Sequence, residues 1–166
     1  MIHTFTESPL GTLLLVKDEE ALVGLYQEGQ TNYPALSQLG EEVNEVQFEE
    51  EIDALNLYFA GKSRTFDIKL NPNGTRFQKD VWNELEKIPS GDTLTYQEVA
   101  DKMGNPNSIR AVASAIAKNP ITIIIPCHRV ASKNGDVKYS GGKENKHRLL
   151  EIENAAVNFP DSLTGS

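Results

Sequence analysis

Asn71-Pro72-Asn73-Gly74 interrupts this chain more completely than any other stretch of it. Proline removes a backbone donor and restricts the residue before it, while Asn and Gly accept left-handed backbone, so neither helix nor strand runs through such a sequence. A chain of 166 residues divided there is expected to fold as two units, 1–73 and 74–166, each large enough for a small domain. Charge divides at the same place. Residues 1–74 carry four Lys/Arg against thirteen Asp/Glu, whereas residues 75–150 carry twelve against eight. An acidic module is thus joined to a mildly basic one.

The first module reads as α/β. Pro9-Leu10-Gly11-Thr12 is a turn, 13–17 a strand, Asp18-Glu19-Glu20 a second turn and 21–26 a second strand, which together make a hairpin. Residues 29–40 are polar and predict a surface loop. Val46, Ile52, Leu55, Leu57, Tyr58 and Phe59 predict an imperfect amphipathic helix over 41–60, and the alternation across 66–70 predicts another strand.

The second module reads as mostly helical. Thr75 is placed to cap a helix with Phe77, Val81, Trp82, Leu85 and Ile88 on its apolar face, ended by Pro89-Ser90-Gly91. Thr95 and Glu98 form the pattern of a capping box for 96–103. Gly104-Asn105-Pro106-Asn107 is a tight turn, and Ser108 is placed to cap a third helix to about Lys118. Two short helices joined this way have the form of a helix-turn-helix, which many helical hairpins share without binding nucleic acid. In the third helix, Arg110, Ala111 and Ser114 stand among alanines. Small side chains allow close approach, to a neighbouring helix on one face and to a nucleic-acid groove on the other. Long polar side chains for reading bases are missing, so groove lining is the better version of that role.

Composition excludes some classes. With a single cysteine, Cys127, no internal disulfide and no CxxC zinc site can form, as expected of a reducing cytoplasm. The apolar run 12–16 is too short for a membrane span, and Met1-Ile2-His3 lacks the basic start of a signal peptide. No structural metal is expected. The net charge of −8 opposes binding to phosphates, which rests on Lys and Arg, but the basic second module permits it.

The chemistry concentrates after Asn119-Pro120. The β-branched run 121–125 predicts a buried strand, and it stops at Pro126-Cys127-His128-Arg129-Val130. A lone cysteine is most often a small buried hydrophobe. A histidine directly after it supplies a base for a thiolate nucleophile, and His128 and Arg129 are both poor choices for a core.

Pro-Cys-His-Arg-Val resembles the active-site signature of the O6-alkylguanine-DNA alkyltransferases, the methylated-DNA–protein-cysteine methyltransferases. The likeness covers roughly residues 74–153. It includes Gly74-Thr75-Arg76-Phe77-Gln78, Thr95-Tyr96, Arg110-Ala111-Val112, Asn119-Pro120 and Tyr139-Ser140-Gly141-Gly142, with a weaker match at Ser8-Pro9-Leu10-Gly11-Thr12 and Val23-Gly24-Leu25. The resemblance implies a ribonuclease-H-like N-terminal α/β domain followed by a helical C-terminal domain with a helix-turn-helix. It also implies a monomer that repairs double-stranded DNA without a cofactor. An alkyl group passes from O6 of a flipped guanine, with O4-alkylthymine as a further expected substrate, irreversibly to cysteine.

Carried over by motif, Cys127 is the acceptor and His128 its base through a water. Glu153 orients the histidine, and Asn119 braces the turn that holds the cysteine. Tyr96 donates to N3 of the base and crowds its phosphate. Tyr139 and Ser140 belong to the loop over the base, with the Ser140 amide facing O6. The main-chain oxygens of Cys127 and Val130 accept from the exocyclic amine. Arg110 fills the stack left by the extruded nucleotide, with Ala111 and Ser114 beside it against DNA. Two departures from the family pattern stand out. The segment between Gly135 and Tyr139 is one residue short, with Lys138 before the tyrosine, and the N-terminal half lacks Cys/His zinc ligands. A lesion-binding protein, a helix-turn-helix regulator with a sensing cysteine and a thiol hydrolase are the competing readings. The first of these replaces the cysteine in known relatives, and this chain keeps it.

Overall fold

Strands β1 (Ile2–Ser8), β2 (Gly11–Asp18) and β3 (Ala21–Gln27) form an antiparallel meander, and a short β4 (Glu41–Glu42) lies parallel to β1, in the order β3-β2-β1-β4. The computed structural model describes residues 1–133 and 139–158, of which 155–158 are described as helix backbone alone. The expected hairpin is β2–β3. Strand β1, with His3, Thr4 and Thr6 between its apolar residues, was not expected. Leu13 and Leu15 enter the main core while Leu14 and Val16 pack with Leu39 on the opposite face, so the central strand is apolar on both sides.

Helix α1 (Glu49–Phe59) occupies only the second half of the expected helix over 41–60. Residues 41 and 42 pair with β1, and Asn44 caps a 3₁₀ turn, Glu45–Phe48, by accepting from the Val46 N–H. Extended pairing at one end and the Asn44 cap leave no helical backbone between residues 41 and 44.

Neither 66–70 nor 121–125 forms the expected strand. Only Leu70 bridges β3, at Leu22, and only Ile121 does so, at Leu25. Both segments dock on the same edge of β3 by single-residue bridges, so neither extends into a full ladder. After Ile121 the chain turns sharply. Ile124 N–H donates to Thr122 O at 2.8 Å, closing a γ-turn around Ile123, whose φ is +74°. That conformation is strained for a β-branched residue. The isoleucines of this run reported burial, which they all have, and not extension.

The second half contains α2 (Arg76–Glu86), α3 (Tyr96–Lys102), α4 (Ile109–Ala117) and α5 (Lys143–Asn158), with a parallel pair of short strands, β5 (Leu94–Thr95) and β6 (Val130–Ala131). Thr75 with Gln78 and Thr95 with Glu98 both form complete capping boxes. Ser108 occupies the N-cap of α4, but its side chain makes no cap hydrogen bond, and only its carbonyl is used, by Val112 N–H. Trp82 ties α2 to α4 by donating to Ala115 O at 2.8 Å. One core runs through both halves, from Leu13, Leu15 and Leu25 through Tyr58 and Trp82 to Ile121 and Leu149.

Gly74 sits where this core meets the breaker. A Cβ there would lie 2.5 Å from Trp82 Cη2 and 2.8 Å from Gln78 Oε1, disturbing both the tryptophan and the cap. Gly74→Ala is therefore expected to lower stability by about 1–3 kcal/mol, read as a shifted urea midpoint. An unchanged midpoint would show that Trp82 yields at no cost.

Candidate active site

Cys127 begins a 3₁₀ turn, Cys127–Arg129, that follows the strained segment directly. Two short hydrogen bonds deliver it there: Ile124 N–H to Thr122 O, and Cys127 N–H to Ile125 O at 2.8 Å. Asn119 spans the segment. Its amide donates to Ile125 O at 2.8 Å while its side-chain oxygen accepts from Ile121 N–H at 2.9 Å. At 1% exposure this side chain satisfies backbone groups that have no ladder.

His128 and Arg129 are buried at 0% and 6% exposure, where polar groups require partners. Both find Glu153, from α5. His128 Nε2 lies 2.5 Å from Glu153 Oε2. Arg129 donates from Nε to Oε1 at 2.8 Å and from Nη2 to Oε2 at 2.9 Å, and its Nη1 reaches Ile88 O at 2.6 Å. Tyr58, from α1, donates its hydroxyl to the same Oε2 at 2.5 Å.

These donors and the Arg129 charge hold the Glu153 carboxyl down at about 2 against the opposing effect of burial. Burial in turn pushes the His128 imidazole down, with Arg129 and Lys146 adding to that push against the hydrogen bond to Glu153 and its charge. The imidazole is therefore neutral. With a carboxylate facing Nε2, that nitrogen carries the hydrogen and Nδ1 keeps its lone pair. Nδ1 is buried with no partner among the described residues, as a base awaiting a proton would be.

Burial pushes the Cys127 thiol up to about 11; Asn119, a backbone hydrogen bond and the Lys146 charge act against this. At neutral pH the sulfur is thus a thiol whose proton must leave as it reacts. Lys146, buried on α5, donates to Val130 O at 2.8 Å, and burial lowers its own pKa. The Val130 carbonyl is therefore already engaged on one side.

Cys127 opens into a cavity of about 220 Å³ lined also by Tyr96, Ala113, Ile116, Ala117, Tyr139, Ser140 and Thr31. Burial and the nearby Cys127 raise the Tyr96 hydroxyl pKa, so it is a donor at neutral pH, and burial does the same for Tyr139. The Ser140 hydroxyl donates to Ala117 O at 3.1 Å, and the Ser140 main-chain carbonyl accepts from Thr31 N–H at 3.2 Å. Helix α4 forms one wall. Val112, Ala115 and Ile116 are buried while Arg110, Ala111 and Ser114 are exposed together on the outer face. The shortened segment and Lys138 before Tyr139 lie outside the described residues.

The structure thus brings Cys127, His128, Glu153, Asn119, Tyr96, Tyr139, Ser140 and Val130 to one place, with Arg110, Ala111 and Ser114 on the adjoining surface. Sequence reasoning missed Arg129 and Tyr58 as partners of Glu153, and Lys146 and Thr31 altogether. Lys146 had a visible signal, because it shares the buried stripe of α5 with Leu149 and Glu153 at helical spacing. Thr31, in a polar loop, had none. Among the described residues no group of three or more His, Cys, Asp or Glu is placed to hold a metal, and no helix is long and apolar enough to cross a membrane.

Comparison with known proteins identifies the family. Residues 1–72 match the family model of the 6-O-methylguanine DNA methyltransferase ribonuclease-like domain, and residues 76–155 match that of its DNA binding domain. The chain belongs to the 6-O-methylguanine DNA methyltransferase family. Among its relatives, the methylated-DNA–protein-cysteine methyltransferase of Methanosarcina acetivorans is 44% identical over 155 residues, covering 92% of this chain and 98% of that protein. The Mycobacterium tuberculosis protein of the same name is 41% identical, covering 99% and 98%. The crystal structure of M. tuberculosis OGT in complex with DNA superposes with a TM-score of 0.87 at 39% identity, again over 99% and 98%. In this methyltransferase family member, Cys127 is the one cysteine available to accept a group.

Because the Glu153 carboxyl is held below its ordinary value of 4.5, its contribution is complete above that value and is lost as pH falls toward 2. Unfolding free energy is expected to drop by on the order of 3 kcal/mol across that window. His128, whose folded value lies below 6.5, adds a loss of the same sign beginning below pH 6.5. Glu153→Gln leaves Arg129 buried without its counter-charge and should cost about 3–5 kcal/mol at pH 7 while flattening the limb below pH 4.5. Urea unfolding from pH 2.5 to 8 tests both, and an acid limb of equal slope in the variant removes Glu153 as its source.

Proposed function

We propose that this protein repairs DNA by moving an alkyl group from O6 of guanine, and by the same chemistry from O4 of thymine, onto Cys127, consuming itself in the process. The observation that carries the reading is the cavity wall: Cys127 faces a space of about 220 Å³, next to a neutral, buried imidazole with a free Nδ1.

The thiol proton passes through one water to His128 Nδ1 while Glu153 steadies the imidazolium that forms. The Sγ–carbon bond forms as the carbon–O6 bond breaks, and the electron pair departs with guanine. Donors aimed at the base stabilise that negative charge: the Tyr96 hydroxyl toward N3 and the Ser140 amide toward O6. The carbonyls of Cys127 and Val130 hold the exocyclic amine, and Asn119 keeps the cysteine turn in place. No cofactor takes part in this balance.

The base reaches the cavity by leaving the duplex, and Arg110, exposed at the start of α4, fills the gap with Ala111 and Ser114 against the groove. Residues 1–73 and 74–166 serve as scaffold and DNA-binding acceptor domain, in a monomer that works in the cytoplasm. A lone thiol that must stay reduced until used supports that compartment.

Incubation with duplex DNA carrying O6-methylguanine should add one methyl mass to the Cys127 peptide, and Cys127→Ala should bind the same DNA without gaining it. Lesion binding by an unlabelled wild-type protein would make it a binding protein instead. Arg110→Ala should slow transfer from duplex DNA at least tenfold more than transfer from free O6-benzylguanine, since only the duplex requires extrusion. Equal slowing with both substrates would remove Arg110 from that role.

A further inference from the structure

Behind the cavity wall, at the tip of β3, stands Gln27, a glutamine with 0% exposure that the proposed reaction does not use. Its Nε2 donates to the Tyr139 hydroxyl oxygen at 2.6 Å and faces Thr122 Oγ1 at 3.4 Å. Its Oε1 accepts from Asn145 Nδ2 at 3.0 Å. The direction of these bonds is set by carbonyls at both ends of the network, which can only accept. Thr122 must give its hydroxyl proton to Leu25 O at 2.9 Å, so its oxygen is an acceptor toward Gln27. Asn145 turns its NH₂ toward Leu10 O at 3.5 Å, so the same group faces Gln27 Oε1. Gln27 cannot flip without opposing donor to donor at one end and acceptor to acceptor at the other.

Tyr139 therefore accepts from Gln27 and cannot give its own proton back along that bond. Thr122, whose oxygen is an acceptor, is the second side-chain partner of the Tyr139 hydroxyl, so the hydroxyl is held from two sides. Tyr139 lines the cavity with Cys127, and its ring packs edge-on to His128 at 6.3 Å between centroids. Close packing holds the arrangement. A Cβ on Gly141 would overlap Gln27 Oε1, so the chain after Tyr139 runs directly against this amide. The backbone of Gln27 is itself pinned, its N–H donating to Gln30 Oε1 at 2.6 Å. Gln30 passes the network through Asn32 to Asn119 O.

We infer that Gln27, in the N-terminal sheet, is a positioning residue for alkyl transfer: its hydrogen bond to the Tyr139 hydroxyl holds that ring in the wall of the Cys127 cavity, edge-on to His128. The inference rests on the proposed transfer to Cys127. It assigns the N-terminal half a part in the chemistry, acting through Tyr139.

The test uses full-length protein and saturation kinetics of benzyl transfer from free O6-benzylguanine, well below the unfolding temperature of each variant. Gln27→Leu should lower the limiting rate constant about tenfold, equivalent to about 1.4 kcal/mol, with little change in the half-saturating concentration. Placed in a Tyr139→Phe background it should produce no further loss, because the two residues act as one unit. A Gln27→Leu rate within twofold of wild type overturns the inference, as does an equal loss in both backgrounds. A purely structural role would lower the unfolding midpoint and leave the limiting rate unchanged.

If Gln27→Leu does not fold, the Gln27 side-chain NH₂ resonances of ¹⁵N-labelled protein carry the test. They should move in Tyr139→Phe, and unmoved resonances overturn the inference. Wild-type protein that takes no label overturns the transfer reading itself, and the resonance experiment still reports the Gln27–Tyr139 bond separately.

Discussion

The carboxylate of Glu153 is the point on which the site depends. Four donor atoms converge on it, from Tyr58 on α1, from His128 and from Arg129 twice. A buried ion pair is weak grounds for stability, since the cost of desolvation can match the attraction. What this pair does decide is protonation. Arg129 neutralises Glu153, so His128 has no need to carry charge and remains a base in a buried place. The same carboxylate joins three distant segments of the chain, so the reactive turn and the N-terminal helix are held by one group.

Around that anchor the chain accepts strain. Ile123 at φ +74° costs on the order of 1–3 kcal/mol, and it persists because Asn119 and the bridge from Ile121 to β3 hold both sides of the turn. The result is a cysteine that leaves the core at an angle no strand would give it, facing a cavity and not a neighbouring sheet. Helix α4 completes the arrangement with small residues, which let one face pack against α2 while the opposite face stays low enough to approach a groove.

The acidic charge of the whole chain conceals this geometry. Excess carboxylates sit in the first half, among them Glu49, Glu50 and Glu51 in the first turn of α1, where they favour the helix dipole. The basic residues belong to the half that carries α4. Binding to DNA through so few cations is expected to be weak and sensitive to salt.

Much of this was legible along the chain. The β2–β3 hairpin, the two capping boxes, the helical spacing of α2 and the breaker before Gly74 are local features, set by residues within a few positions of one another. Cys127 and His128 are adjacent in the chain, and the pairing of His128 with Glu153 was expected from the family resemblance. The isoleucine run misled because β-branched residues suit any buried position, and only the crowded edge of β3 shows why they turn instead of pairing. Gln27, Thr31, Tyr58 and Lys146 had to wait for the fold. Each looks ordinary beside its neighbours and gains meaning from a partner dozens of residues away. Sequence alone determined which chemical groups the chain carries and where the capped helices α2 and α3 begin, because those depend on covalent identity and local hydrogen bonding. Tertiary structure decided which proton each group holds and where it points, because burial and long-range partners set those, and neither is written into local sequence.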